Sequence, residues 1–272
     1  MSTVEFPEWV ATLPTNLDES DFHKTWSTHV DDRMSPFEKA IYGGYCADEP
    51  GWVFVAGYQG AIAHTFADEQ FAGWSAFAVS EDRSKADPKP GLSGNRTGDH
   101  IELSGYKTWV ATSRHVKTLI VSFQCDDRTL FARVNADTPG VTLSHRDQPS
   151  MLPDLSQGIA AFDRLVVTNH TMVSSAHVSQ FAAIEGFYVL VALLACVRRF
   201  HDQAGVDVEQ IEEMIALATQ LQSRLDDSEV VNSFKLQSRD ILRVISEHEL
   251  GQMPKWQRDG KLLAAYARPK NT

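Results

Sequence analysis

The chain is poor in cysteine: its 272 residues include three, Cys46, Cys125 and Cys196. They are widely separated, with neither Cys-x-x-Cys spacing nor the even count of a disulfide framework, so they read as reduced thiols. Basic residues are also scarce. Lys and Arg number 25 against 36 Asp and Glu, giving a net charge of −11, and no Lys/Arg run exists to release counterions from a phosphate backbone. That argues against nucleic acid as a partner, although such a field still accommodates one positive spot for a phosphorylated cofactor. The ten histidines show no His-Glu-x-x-His and no His/Cys pair at ligand spacing, so no metal is expected. No Gly-x-Gly-x-x-Gly or P-loop is present, which removes nicotinamide and nucleotide-hydrolysis readings. Ser113-Arg114-His115 lacks the glycines of a nucleophile elbow. The longest apolar run, Gly186 to Val197, falls well short of the roughly 20 residues that span a bilayer. The acidic, proline-interrupted start, MSTVEFPEWVATLPTNLDESDF, has neither the basic segment nor the apolar run of a signal peptide. No membrane insertion is expected, and the expected compartment is the cytoplasm.

What is present is an ordinary globular composition, 43% hydrophobic and 22% charged, in a chain long enough for one large domain or two modest ones. Three zones follow one another. Residues 1–73 carry short helical pieces. Ser35-Pro36 followed by Phe37 and Glu38 reads as an N-cap with proline at the first helical position. Val53, Ala56, Gly57, Gly60, Ala61 and His64 recur at three- and four-residue steps, predicting a closely packed helix over 53–66. Residues 74–173 switch to short β segments separated by turn chemistry: WSAFAVS, DHIELSG, YKTWVAT, KTLIVSFQ, RTLFARVN, GVTLSHR and GIAAFDRLVV. Their spacing predicts an antiparallel barrel or sandwich, with hairpin turns at Gly98-Asp99, Ser104-Gly105 and Asp126-Asp127 and a polar loop over Glu81–Thr97. In residues 174–272 the strand signal vanishes. Ile211, Met214, Ile215, Ala218, Leu221 and Leu225 form an apolar stripe with Glu209, Glu212, Glu213, Gln220 and Arg224 off it, the pattern of a helical bundle. The fold class expected is α+β: short N-terminal helices, a central antiparallel β-barrel and a C-terminal helical bundle.

Four segments then carry a family resemblance. Phe77-Ala-Val-Ser-Glu-Asp82, Gly105-Tyr-Lys-Thr-Trp-Val110, Pro139-Gly-Val141 and Phe162-Asp-Arg-Leu-Val-Val167 resemble, in order and spacing, the Thr-Glu-Pro, Gly-x-Lys-x-Trp-Ile, Pro-Gly-Val and Phe-Asp-x-Val-x-Val segments of the acyl-CoA dehydrogenase middle domain. Trp256-Gln-Arg-Asp259 resembles a segment near that family's C-terminus. The resemblance implies a flavoprotein oxidoreductase with FAD, acting on the CH–CH group of an acyl-CoA-like thioester and assembled as a homodimer or homotetramer. It places Phe77, Val79 and Ser80 beside the flavin edge, Trp109 against its ring and Thr112 near it. The redox chemistry belongs to the cofactor; the protein supplies contacts and a base.

The departures are as specific as the matches. Lys85-Ala86-Asp87 stands where the family has a glycine for close approach to phosphate. Ala111 stands where it usually has a hydroxyl. Nothing after Gly251 matches the family's Tyr-Glu-Gly segment, which carries the base in most members. Phe181-Ala-Ala-Ile-Glu185-Gly-Phe matches the minority placement on the first helix after the barrel, so Glu185 is the candidate base, with Gly186 in place of the family's arginine. The residues alone leave alternatives open: Glu185 as a helix-start carboxylate favoured by the macrodipole, and Trp109 as a buried barrel aromatic with its indole N–H satisfied. Acidic Ile211-Glu-Glu213 stands where the adenine clamp needs a cation, leaving Arg198, Arg199 and Phe200 as substitutes. A non-catalytic homologue serving as a ligand- or partner-binding scaffold, or a flavin monooxygenase variant, is the competing reading.

Overall fold

The computed structural model describes residues 6–69, 71–82, 88–147, 149–176 and 178–269; the departure read at Lys85-Ala86-Asp87 lies outside them. The chain divides into two compact units, one of helices from residues 1–65 and 180–272 and one of strands from residues 66–179.

The helical unit comprises α1 (Glu19–His29), α2 (Pro36–Cys46), α3 (Pro50–Thr65), α4 (Phe181–Arg199), α5 (His201–Ala204), α6 (Val208–Leu221), α7 (Ser228–Glu247), α8 (Glu249–Gln252) and α9 (Pro254–Tyr266). α2 begins as its sequence predicts. The Ser35 side chain accepts from the Glu38 N–H, the Glu38 carboxylate accepts from the Ser35 N–H, and Pro36 occupies the first turn, where no amide donor is needed. α3 and α4 are apolar almost all round, and all residues from Phe187 to Val197 are buried. Such helices belong in an interior. Their backbones touch: a Cβ on Gly57 would stand 2.3 Å from Val189 Cα, and one on Gly44 of α2 would stand 2.4 Å from the Ala192 carbonyl. Val178–Arg199 is long and apolar enough to cross a membrane, longer than the apolar run suggested, but 78% of its most apolar window is enclosed by the rest of the protein. On α6 the buried stripe is Ile211, Met214, Ile215, Ala218 and Leu221. Leu225 lies beyond the helix end. All three cysteines are free and buried.

The sheet unit contains β1 (Ser75–Ala78), β2 (Ser93–Thr97), β3 (His100–Ala111), β4 (Thr118–Cys125), β5 (Arg128–Asn135), β6 (Val141–His145) and β7 (Gln157–Thr168). Its order is β1-β4-β2-β3-β7-β6, with β5 paired to the other side of β4. This corrects the expected barrel in two respects. Among the described residues the sheet is not closed, and it is mixed, because β1 and the end of β2 run parallel to β4. Hairpins give antiparallel neighbours directly, whereas these parallel pairs join strands that are not consecutive: the β2–β3 hairpin intervenes between β1 and β4, and β3 between β2 and β4. The β5 edge is partly covered, since Val173 N–H donates to the Phe131 carbonyl.

Two of the three predicted turns are hairpins. Gly98 has φ +59°, and Asp126 and Asp127 have φ +50° and +59°, the double left-handed geometry that suits the strand twist. The third is not a turn. Ser104-Gly105 lies inside β3, where a bulge against β7 falls between Leu103 and Gly105. Gly105 has φ +127°, and a Cβ there would meet the Gly91 carbonyl oxygen at 2.2 Å; the glycine serves a bulge and a close backbone approach. Two expected strands are therefore one. Conversely, Ser93–Thr97, read as part of a polar loop, is strand β2, paired along its length with β3. The core below is apolar and continuous, including Leu103, Val110, Leu119, Val121, Phe123 and Phe162.

Candidate functional site

The segment leaving β1 is fixed from two sides. Ser80 accepts at its carbonyl from the Thr108 N–H at 2.9 Å. The Lys107 ammonium, on a side chain 1% exposed, reaches Glu81 Oε1 at 2.6 Å and Ser122 Oγ at 3.0 Å, and lies 3.5 Å from the Val79 carbonyl. Burial pulls the Lys107 pKa down while Glu81 pulls it up, with burial the larger effect. This clamp leaves Val79 40% exposed and Ser80 exposed. Among the described residues, the Ser80 hydroxyl makes no hydrogen bond, so a ligand polar edge could use it.

The remaining residues predicted to border a flavin are less open. The Phe77 ring is buried, stacked on Phe131 at 6.1 Å and tilted against Phe66 at 5.4 Å. It supports the strand end from below. Trp109 is half-buried, and its indole N–H donates to Gln157 Oε1 at 3.1 Å. Gln157 is held in turn, its amide donating to the Met151 carbonyl at 2.6 Å. Thus the indole N–H is satisfied, as the alternative reading of Trp109 requires. Thr112 is buried at φ +52°, and its hydroxyl donates back to the Ala111 carbonyl at 2.7 Å. It does not restore the hydroxyl missing at Ala111.

In the helical unit Glu185 is the fifth residue of α4, past the first turn, which holds no acid. The helix-start alternative therefore does not describe it. Its side chain is half-buried, and desolvation there pushes its pKa up to about 7, with the nearby Tyr266 hydroxyl acting against that rise. A carboxyl poised near neutrality can take a proton from a weak carbon acid and return it. Lys107, Gln157 and Tyr266 had no role in the sequence reading. Lys107 sat inside a quoted motif, whereas Tyr266 is brought to Glu185 from a helix distant in sequence, which no periodicity reveals.

The arginines offered as an adenine clamp are committed elsewhere in the helical unit. Arg198 Nε donates to Glu212 at 2.7 Å and its guanidinium covers the Phe6 ring. Arg199 donates to the carbonyls of Tyr45, Leu13 and Pro14. Both secure the end of α4.

No family model and no curated protein sequence matches the chain. Solved structures do. A FAD-dependent dehydrogenase is 12% identical, with a TM-score of 0.63 over 98% of this chain and 93% of that one. The glutaryl-CoA dehydrogenase of Mycobacterium smegmatis in complex with FADH2 is 14% identical, with a TM-score of 0.59 over 96% and 86%. FMN-bound TdsC from Paenibacillus sp. A11-2 is 14% identical, with a TM-score of 0.63 over 85% and 80%. The chain has the acyl-CoA dehydrogenase-like fold. At these identities the likeness establishes architecture, and an acyl-CoA dehydrogenase-like chain must be given its chemistry from its own residues.

Proposed function

We propose that the chain is a flavin-dependent oxidoreductase with FAD as cofactor, oxidising the CH–CH group of an acyl-CoA-like thioester. The observation that carries this reading is the exposed Val79–Ser80 strand end, held by the buried Lys107 and accompanied on β3 by the half-buried Trp109. Apolar contact, a free hydroxyl and a flat aromatic suit an isoalloxazine. Bound flavin would supply hydride acceptance. Val79 and Ser80 would orient its edge, Trp109 would cover ring surface, and Glu185 would accept the proton. The fit is uneven along the cofactor. Among the residues considered for the adenine end, Arg198 and Arg199 are occupied, so that end lacks the cations its phosphates want.

The same commitments favour a second reading, a non-catalytic scaffold that binds a thioester or a partner without flavin. Purification in the presence of riboflavin cofactors separates the two. Uptake of FAD or FMN with visible flavin absorbance, bleached by an acyl-CoA panel, is expected; a colourless protein that takes up neither flavin overturns the enzyme reading. Assembly as a homodimer or homotetramer is part of the proposal, and a strictly monomeric mass in sedimentation equilibrium at micromolar concentration would contradict it.

A further inference from the structure

The helical unit carries a groove that none of the residues assigned above to flavin or proton transfer lines. α7 and α9, joined through the short α8, each turn one face to it: Arg239, Leu242 and Arg243 from α7, and Gly260, Lys261 and Ala264 from α9. Steps of three and four residues set such side chains on one side of a helix. The groove encloses about 570 Å³, within the range of small-molecule pockets. Its inner lining is apolar. Ile245 and Trp256 are buried there, and Leu242 and Ala264 are half-buried. Trp256 is held in place by its indole N–H, which donates to the Asp48 carbonyl at 3.3 Å.

The charge at the groove is of one sign. Arg239, Arg243 and Lys261 are exposed, and among the described residues no acid lines it. Arg239 and Lys261 have no hydrogen-bond or ion-pair partner among the described residues, and Arg243 reaches the exposed Glu247 at 3.8 Å. The neutral polar residues are committed to one another. The Gln252 amide donates to the Ser246 carbonyl at 2.8 Å, and the Gln257 amide donates to Gln252 Oε1 at 3.1 Å. In a chain of net charge −11, this is a local positive spot over an apolar surface.

We propose that the groove binds a straight-chain fatty carboxylate, its chain along the apolar lining and its head between the α7 arginines and Lys261. The planar guanidinium fork matches a carboxylate, and the hydrocarbon chain covers the lining that water wets poorly. A phosphate head is best served by backbone N–H groups gathered at a helix start. Here those amides are taken: Gln252 N–H donates to the His248 carbonyl, Met253 N–H to Leu250 and Gln257 N–H to Met253. The donors left to a ligand are the side-chain cations. On the α9 side a Cβ added to Gly260 would meet nothing within 4 Å, so the wall beside Lys261 is open. This site goes beyond the flavoprotein reading and stands whether or not flavin is bound.

The test follows the Trp256 indole resonance in proton–nitrogen correlation spectra of the full chain, assigned by its loss in Trp256→Phe, as sodium decanoate is added below its micelle concentration. A saturable shift is expected. Arg239→Gln combined with Lys261→Gln removes the two unpartnered cations from exposed positions and should weaken binding about tenfold. Gly260→Leu adds a side chain in open space and should weaken it by a similar factor without disturbing the fold. Decanol, with the same chain and no charge, should bind about tenfold more weakly than decanoate. Absence of a saturable shift, equal affinity for decanol, or unchanged affinity in both variants overturns the proposal. Tighter binding of decyl phosphate than of decanoate overturns the carboxylate assignment. A changed sedimentation mass in the double variant, with no decanoate bound by the parent, would give the groove to a second copy of the chain and overturn it as well.

Discussion

Lys107 projects from β3 to set its ammonium 2.6 Å from the Glu81 carboxylate just past β1, with Lys107 buried and Glu81 half-exposed. The two members of this pair are not equivalent. Removing the acid strands a buried cation, whereas removing the lysine strands only the Ser122 hydroxyl, since Glu81 can turn to water. Glu81→Ala is therefore expected to lower stability by about 2 kcal/mol and Lys107→Met by about 1 kcal/mol. Urea-unfolding midpoints measure both. A larger loss in Lys107→Met would show that the clamp is packing rather than charge.

Helix packing gives a paired prediction on two glycines. A Cβ on Gly57 would collide with Val189 backbone atoms, which cannot turn aside, while a Cβ on Gly260 of α9 meets nothing within 4 Å. Gly57→Ala should cost roughly 1–3 kcal/mol by forcing α3 from α4. Gly260→Ala should gain a little under 1 kcal/mol through helix propensity alone. Opposite shifts in thermal midpoint are expected, and shifts of the same sign would refute the packing argument.

Gly105 tests why the sheet was only partly readable. Gly98-Asp99 and Asp126-Asp127 were legible as turns because polar residues with positive φ join two apolar alternations. Ser104-Gly105 has the same local chemistry, yet β3 continues through it, since the β7 partner strand and the approach of Gly91 decide the outcome, and neither is local. β2 was illegible for the opposite reason: Ser93-Gly-Asn-Arg-Thr97 is mostly exposed, without the apolar alternation that marks a strand, and is paired with β3 along its length. The site follows the same rule. Val79 and Ser80 could be named from a strand-end motif, but Lys107 as their anchor and Tyr266 beside Glu185 depend on tertiary placement. Gly105→Ala is expected to cost about 3 kcal/mol, combining strain at positive φ with the Gly91 collision. A loss under half of that in chemical denaturation would mean that the bulge relaxes readily.

Glu185 makes stability depend on pH in a direction opposite to that of a salt-bridged acid. In the unfolded chain it releases its proton near its ordinary value of 4.5, whereas in the folded protein burial holds the proton up to about 7. Between those limits the native state binds more protons than the unfolded one, so stability falls as pH rises, and above about 7 the deficit is constant. The separation corresponds to a deficit on the order of 3 kcal/mol at full ionisation. Glu185→Gln keeps the shape and removes the titration. The variant should therefore gain on the parent as pH is raised from 4.5 to 8, with its thermal midpoint highest relative to the parent at the alkaline end. A constant difference across that range would show that the carboxyl ionises in the folded protein at its ordinary value, and would withdraw both its poise near neutrality and its candidacy as the base.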